Sequence, residues 1–293
     1  MKALKHFLFR VLVAALFLLV PILGVWTIFK ADDWGLGFPP NVSTVGDAID
    51  GLFFFILWLV TIVFIGTEVV LVWFIFHYSA KRDDKAVYSH GSHKLEMIWT
   101  AIPAMILVFV GFSQMGTWNE VKIAFPEDRH AGDHAEDGDV DVEAPAYTRD
   151  RPLMEVWGSQ FDWRARYTDE EGSLGGIDCV ESAFDIYVPA DVQVVFRLRT
   201  RDVLHSFFVP NFRLKQDAVP GMSIPMWFEV KSDKLDKDAD GNPIASSYDL
   251  ICAELCGWGH YKMSGRIHVL PREEFDTWLS DKRAALFSNG AED

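Results

Sequence analysis

The chain has 293 residues, room for two domains, and half of them are apolar. Its 42 acidic residues outnumber 27 basic ones, and the formal charge of −15 argues against a nucleic-acid partner and for a basic one such as a small cationic protein. Three cysteines are too few for a disulfide scaffold.

Most of the apolar excess lies before residue 118, so a globular core does not account for it. Lys2, Lys5 and Arg10 lead into an apolar run over Phe7–Phe29, the layout of a signal peptide or signal anchor across residues 1–30. The run ends in Gly24-Val-Trp-Thr-Ile-Phe29 without a small-x-small cleavage site, which favours a retained anchor. A polar link with Pro39 and Pro40 follows, and then a second apolar span, Leu52–His77, long enough to cross a hydrocarbon core of about 30 Å. Its basic flank, Ser79-Ala-Lys-Arg-Asp-Asp-Lys85, predicts a short cytoplasmic loop. A third span, Leu95–Met115, completes a two-helix transmembrane hairpin over 45–118 and returns the chain to the periplasm or its equivalent. Neighbouring helices can absorb the bond that Pro103 removes.

Two carboxylates sit in this hairpin. Glu68 lies deep in an apolar span, where an ionised group costs at least about 2.5 kcal/mol unless it meets protein or water. It is expected to face a partner subunit or stay neutral. Glu96, beside Trp99 near the cytoplasmic mouth, reads by itself as a solvated helix-end charge.

Residues 119–150 form an acidic linker. Its stretch from Glu127 to Glu143 contains His130 and His134, a pair spaced for a metal on a helix, but the composition is that of a solvated loop. Over 151–271 the texture changes to short β-type segments: Leu153–Trp157, Phe161–Tyr167, Phe184–Val188, Val192–Arg199, Ser206–Val209, Ile224–Val230 and Gly265–Leu270. Such spacing predicts a β-sandwich or barrel. Within it Cys179 reads as a lone, small, semi-buried residue. Pro271 followed by acidic residues predicts a helix in the tail, 272–293.

The chemistry concentrates in Cys252-Ala-Glu-Leu-Cys256-Gly-Trp-Gly-His260-Tyr-Lys-Met263. Thiols, imidazole and thioether so close together select copper, zinc or iron over magnesium or calcium. His205, in Asp202-Val-Leu-His-Ser, is the candidate for a further ligand from a distant strand. A tetrahedral zinc would use Cys252, Cys256, His205 and His260 and leave Met263 idle. A mononuclear blue-copper site would leave one cysteine surplus. Alternatively both thiolates bridge two copper ions, with one histidine on each and Met263 and a backbone carbonyl as weak outer ligands.

The motif Cys-x-Glu-x-Cys-x3-His-x2-Met resembles that of subunit II of the haem–copper cytochrome c oxidases. Asp202-Val-Leu-His-Ser, Lys215-Gln-Asp-Ala-Val-Pro-Gly221 and Leu95-Glu-Met-Ile-Trp-Thr-Ala-Ile-Pro103 extend the likeness over residues 45–280. It implies a transmembrane helical hairpin followed by an all-β cupredoxin-like Greek-key sandwich with a dinuclear copper A centre. By the same resemblance His205, Cys252, Cys256, His260 and Met263 bind copper by side chain and Glu254 by its carbonyl. The Glu254 carboxylate helps hold magnesium at the boundary with subunit I, Glu96 opens a proton-uptake path, and Asp202 lies on the face where cytochrome c docks. The implied role is transfer of electrons from cytochrome c, or another small periplasmic donor, to haem in subunit I. Oxygen reduction to water there is coupled to proton translocation, in a bacterial inner membrane and alongside other oxidase subunits. This chain has no Cys-x-x-Cys-His and is expected to bind no haem. Members of the family usually read Gly-His-Gln-Trp-x-Trp where this chain has Gly158-Ser-Gln-Phe161-Asp-Trp163, so Phe161 replaces the aromatic that receives electrons, with Trp163 the nearest substitute. The alternatives are a membrane-anchored copper-delivery cupredoxin and a quinol-oxidase subunit II; the latter lacks the copper ligands present here.

Overall fold

The computed structural model describes residues 2–78, 88–127 and 146–288. The expected basic loop Ser79–Lys85 and most of the acidic stretch, with His130 and His134, lie outside these residues.

The apolar runs form α1 (Lys2–Lys30), α2 (Gly46–Tyr78) and α3 (His93–Trp118). Among the described residues these are three helices long and apolar enough to cross a membrane. The second alone, at 33 residues, rises about 50 Å. Within the helical unit, Phe29 meets Trp58 and Phe55 meets Phe109 at ring separations of 6.0 and 6.2 Å. Side chains such as Ile62 and Leu107 remain bare, as surfaces made for lipid or other subunits do. Glu96 accepts a hydrogen bond from His93 Nδ1 at 3.1 Å. One oxygen of Glu68, Oε2, is buried without a hydrogen-bond partner. The third helix runs on into a π-helical turn, Asn119–Ile123, where the sequence reads as linker.

The second unit comprises residues 39–49 and everything from Gly116. Its strands are β1 (Met154–Ser159), β2 (Asp162–Tyr167), β3 (Glu181–Ala183), β4 (Asp185–Pro189), β5 (Val194–Thr200), β6 (His205–Val209), β7 (Leu214–Ala218), β8 (Ile224–Phe228), β9 (Ser246–Cys252) and β10 (Ser264–Leu270). One sheet has the order β3-β2-β1-β5-β8 and the other β4-β10-β9-β6-β7. Alternation drives the pairing: in β5, Val194, Phe196 and Leu198 turn inward to meet Phe207, Val209, Ile267 and Val269 of the facing sheet. Phe207 pairs with Cys252 in register. The start of β6, the end of β9 and the start of β10 therefore lie together at one end of the second sheet, and this is what gathers His205, Cys252 and Met263.

The polar link proves to be part of this unit. Val42 and Thr44 donate backbone hydrogen bonds to the carbonyls of Asn211 and Glu229, both at 3.0 Å, and Val45 packs with Phe125, Val195 and Trp227. Cys179 is buried, its thiol 3.5 Å from the Ser173 carbonyl.

A terminal helix, α4 (Arg272–Ser288), seats Phe275 and Trp278 against Tyr167. The fully buried Tyr167 hydroxyl donates to the Tyr187 carbonyl at 2.8 Å and accepts from its N–H at 2.7 Å, tying the first sheet to the outer edge of the second. Burial raises its pKa, so it stays neutral. Tyr167→Phe strips both partners and is expected to cost about 1–3 kcal/mol. Urea denaturation of the metal-free chain would show it; an unchanged midpoint would contradict it.

Candidate metal centre

The loop from Cys252 to Met263 closes back on itself: Cys252 N–H donates to the Met263 carbonyl at 3.1 Å, joining the end of β9 to the approach to β10. His205 enters from β6, with Nδ1 3.2 Å from Met263 Sδ and 3.8 Å from Cys252 Sγ. Cys252 Sγ lies 3.8 Å from Cys256 Sγ and 3.2 Å from the Glu254 carbonyl oxygen. Cys256 Sγ lies 3.6 Å from both His260 Nδ1 and Met263 Sδ. Donors about 2.3 Å from a shared tetrahedral ion sit roughly 3.7 Å apart. The observed spacings are thus those of a ligand set, and its softness suits copper.

The arrangement is not a single tetrahedron. Among the described residues, the His, Cys and carboxylate donors mutually within 4.8 Å are His205, Cys252 and Cys256. His260, in reach of Cys256 and Cys252, is not a member of that group. The two imidazoles therefore flank the two sulfurs instead of closing on one point.

Charge around the site is strongly directed. Burial would lift Cys252, but hydrogen bonds from His205 and from the backbone at Ser206 and Glu254 outweigh it and hold the thiol at about 6. Burial and the neighbouring charge of Cys252 push Cys256 up to about 11. Burial would lower His205, yet Cys252 and Asp202 raise it. Two thiolates this close repel unless cations lie between them. Metal uptake must expel the Cys256 proton and, below the raised His205 value, an imidazole proton as well. Apparent copper affinity is expected to climb by about tenfold per pH unit for each proton released, between the two thiol values. Competition with a chelator of known affinity would measure it, and a flat profile would contradict it.

Asp202, implied by the resemblance on the docking face, is exposed and also braces the site. Its Oδ1 accepts from His205 Nε2 at 2.7 Å, and its Oδ2 accepts from the Gln160 N–H at 2.7 Å. Burial tends to raise this carboxyl, but these bonds and the one from the Val203 N–H lower it. A carboxylate on the far nitrogen fixes the tautomer that leaves Nδ1 free for metal. Gln160, which sequence reasoning missed, also donates its side-chain amide to the Cys256 carbonyl. Its closeness to the ligand loop arises only in the folded sandwich. Phe161 is half-buried against the loop, 5.3 Å from the ring of Trp258, also missed. Trp163 is fully buried, its ring edge-on to His205 and Phe207 at 6.0 and 5.5 Å, and presents nothing to a docked donor. Glu254 is exposed; Glu96 and Glu68 belong to the helical unit.

Comparison with known proteins agrees with this site. Residues 31–115 match the transmembrane domain of cytochrome c oxidase subunit II, and residues 154–269 match its periplasmic domain. Cytochrome c oxidase subunit 2 of Thermostichus vulcanus is 27% identical over 279 residues, covering 84% of this chain and 78% of that one. The Cereibacter sphaeroides protein of the same name is 28% identical, with 86% and 82% covered. The one from Alkalihalophilus pseudofirmus is 30% identical, with 79% and 58% covered. With both halves matched, and soft ligands assembled within the matched periplasmic half, the chain belongs to the cytochrome c oxidase subunit II family.

Proposed function

We propose that this chain is the electron-accepting subunit of a terminal oxidase, holding two copper ions between Cys252 and Cys256. The observation that carries the reading is the displacement of His260 from the cluster of His205, Cys252 and Cys256. It suits one histidine on each of two ions, with both thiolates shared, and Met263 and the Glu254 carbonyl as weak outer ligands. When bound, such a pair supplies a one-electron acceptor that rearranges little on reduction. The protein's part is to hold the ligands still: Asp202 fixes His205, Gln160 pins the carbonyl of Cys256, and the sandwich beneath excludes water.

Electrons would come from cytochrome c or another small periplasmic carrier, drawn by the chain's negative charge. They would leave for haem in subunit I, where oxygen is reduced to water with coupled proton translocation. The exposed carboxylate of Glu254 offers an oxygen ligand for magnesium at the boundary with that subunit. Glu96 would serve proton uptake there, and the partnerless Oε2 of Glu68 would find its hydrogen bond in a neighbouring subunit. The three apolar helices and the match to a periplasmic domain support placement in a bacterial inner membrane, with the sandwich in the periplasm.

The test is the full chain, purified in detergent and loaded with copper. Two coppers per chain and a paramagnetic resonance spectrum split equally by both nuclei are expected. A count of one, or a zinc-only site without colour, would overturn the reading.

A further inference from the structure

The aromatic side chains over the ligand loop form two layers. Phe161 is the inner one: a Cβ on Gly259 would lie 2.5 Å from Phe161 Cδ2, and one on Gly257 3.3 Å from Cζ. The ring therefore rests directly on the backbone that joins Cys256 to His260. Trp258 is the outer layer. Its ring meets Phe161 edge-on at a centroid separation of 5.3 Å, and the residue is 78% exposed. It stands midway between the ligands Cys256 and His260 in the chain. Leu255 and Tyr261 on the same loop are 75% and 81% exposed. Such a cluster of large apolar side chains on one short loop marks an interaction site. Lys262 lies 4.9 Å from the Trp258 centroid and 5.8 Å from that of Tyr261, and it adds one local cation.

We propose that Trp258 takes the place of the missing tryptophan at position 161. In this proposal it is the contact on which a small, positively charged one-electron haem protein docks, and the outermost conjugated group on the electron's way to the ligand loop. The inference rests on the reading of the loop as a copper-holding electron acceptor. The transfer is simple to balance: the donor's haem iron loses one electron, the metal centre gains it, no bond forms or breaks, and no proton moves. Trp258 is not itself oxidised; it shortens the gap across which the electron must tunnel, a rate that falls steeply with distance. The other candidates are worse placed. Trp163 is fully buried, and Phe161 lies beneath Trp258. Tryptophan is also among the residues on which binding energy concentrates at protein interfaces. The formal charge of −15 steers a cationic donor from a distance, while the contact itself is apolar. Removing the ring should therefore weaken binding without changing its salt dependence.

The test uses a cationic c-type cytochrome as probe, in two forms. Against the copper-free full chain, its redox-silent zinc-substituted form is expected to bind Trp258→Ala about tenfold more weakly than the parent, and Phe161→Ala less than about threefold more weakly. In the intact oxidase complex, stopped-flow reduction of the copper centre by the iron cytochrome is expected to slow by about tenfold or more in Trp258→Ala. Reduction by hexaammineruthenium(II), which needs no docking surface, should stay within about twofold, and Trp258→Phe should recover part of the loss. Binding and reduction of Trp258→Ala within about twofold of the parent would overturn the proposal. So would loss of the haem-bearing partner on purification of Trp258→Ala, which would make the residue an assembly contact. A parent chain that holds one copper instead overturns the reading of the site, and this inference with it.

Discussion

Replacing Cys256 with serine is expected to reduce the copper content from two per chain to at most one, with loss of the shared-electron spectrum and of donor-driven reduction. Cys256 is the corner of the site. Its sulfur lies 3.8 Å from Cys252 Sγ, 3.6 Å from His260 Nδ1 and 3.6 Å from Met263 Sδ. Without it His260 loses the thiol 3.6 Å from its Nδ1, whereas His205 Nδ1 still has Met263 Sδ and Cys252 Sγ at 3.2 and 3.8 Å. That remnant can hold one ion in a site of mononuclear character. Supporting residues outside a metal's ligand shell are worth about 10–100-fold in affinity, and a shared ligand should exceed this. The fold should tolerate the change. In the metal-free chain the thiol is pushed up to about 11, so a neutral hydroxyl replaces a neutral thiol. Metal analysis and circular dichroism on the same sample would separate these effects. Retention of two coppers by a folded Cys256→Ser chain would sink the bridging assignment.

The ligands were legible because their signal is chemical and local: four soft donors within one short stretch need no tertiary contact to be noticed. His205 was legible only by its motif, and its support was not legible. The resemblance implies only a docking role for Asp202; folding also sets its carboxylate on His205 and on the Gln160 backbone, 42 residues away along the chain. The helices followed from uninterrupted apolar runs, and their ends ran beyond them because polar residues at a membrane surface continue a helix at little cost. Seven strands were found from their apolar patterns, and three others were not. In β7, Leu214-Lys-Gln-Asp-Ala218, polar residues fill the middle of an edge strand whose outer face meets solvent. In β9 the inward alternation begins on Ser246, a buried serine that accepts the Asp236 N–H at 2.8 Å, so the apolar pattern starts too late to register. The three-residue β3 is too short for any periodicity. Residues 39–49 look like a linker because their contacts are backbone hydrogen bonds to strands and turns far along the chain, which no local pattern encodes.

Trp163→Ala is expected to destabilise the sandwich by about 3–5 kcal/mol, the usual cost of deleting a fully buried aromatic. The same change should loosen the metal site. A Cβ on Gly158 would stand 3.1 Å from the His205 ring and 3.2 Å from Trp163 Cζ3, so glycine, indole and imidazole interlock. Removing the indole takes away a ring packed on His205, while its bond to Asp202 remains. Trp163→Phe should behave quite differently. The indole Nε1 is buried with no hydrogen-bond partner, so phenylalanine forfeits no bond and relieves an unsatisfied donor. Its cost is a modest cavity, about 1–2 kcal/mol. Urea denaturation of the metal-free chain, together with stopped-flow reduction of the copper-loaded complex, separates packing from electron transport. A packing residue gives a Trp163→Phe chain that folds, binds copper and accepts electrons at nearly the parental rate. If that chain were stable and fully loaded yet accepted electrons far more slowly, Trp163 would belong to the electron path, and the buried ring against His205 would be the final step of the transfer.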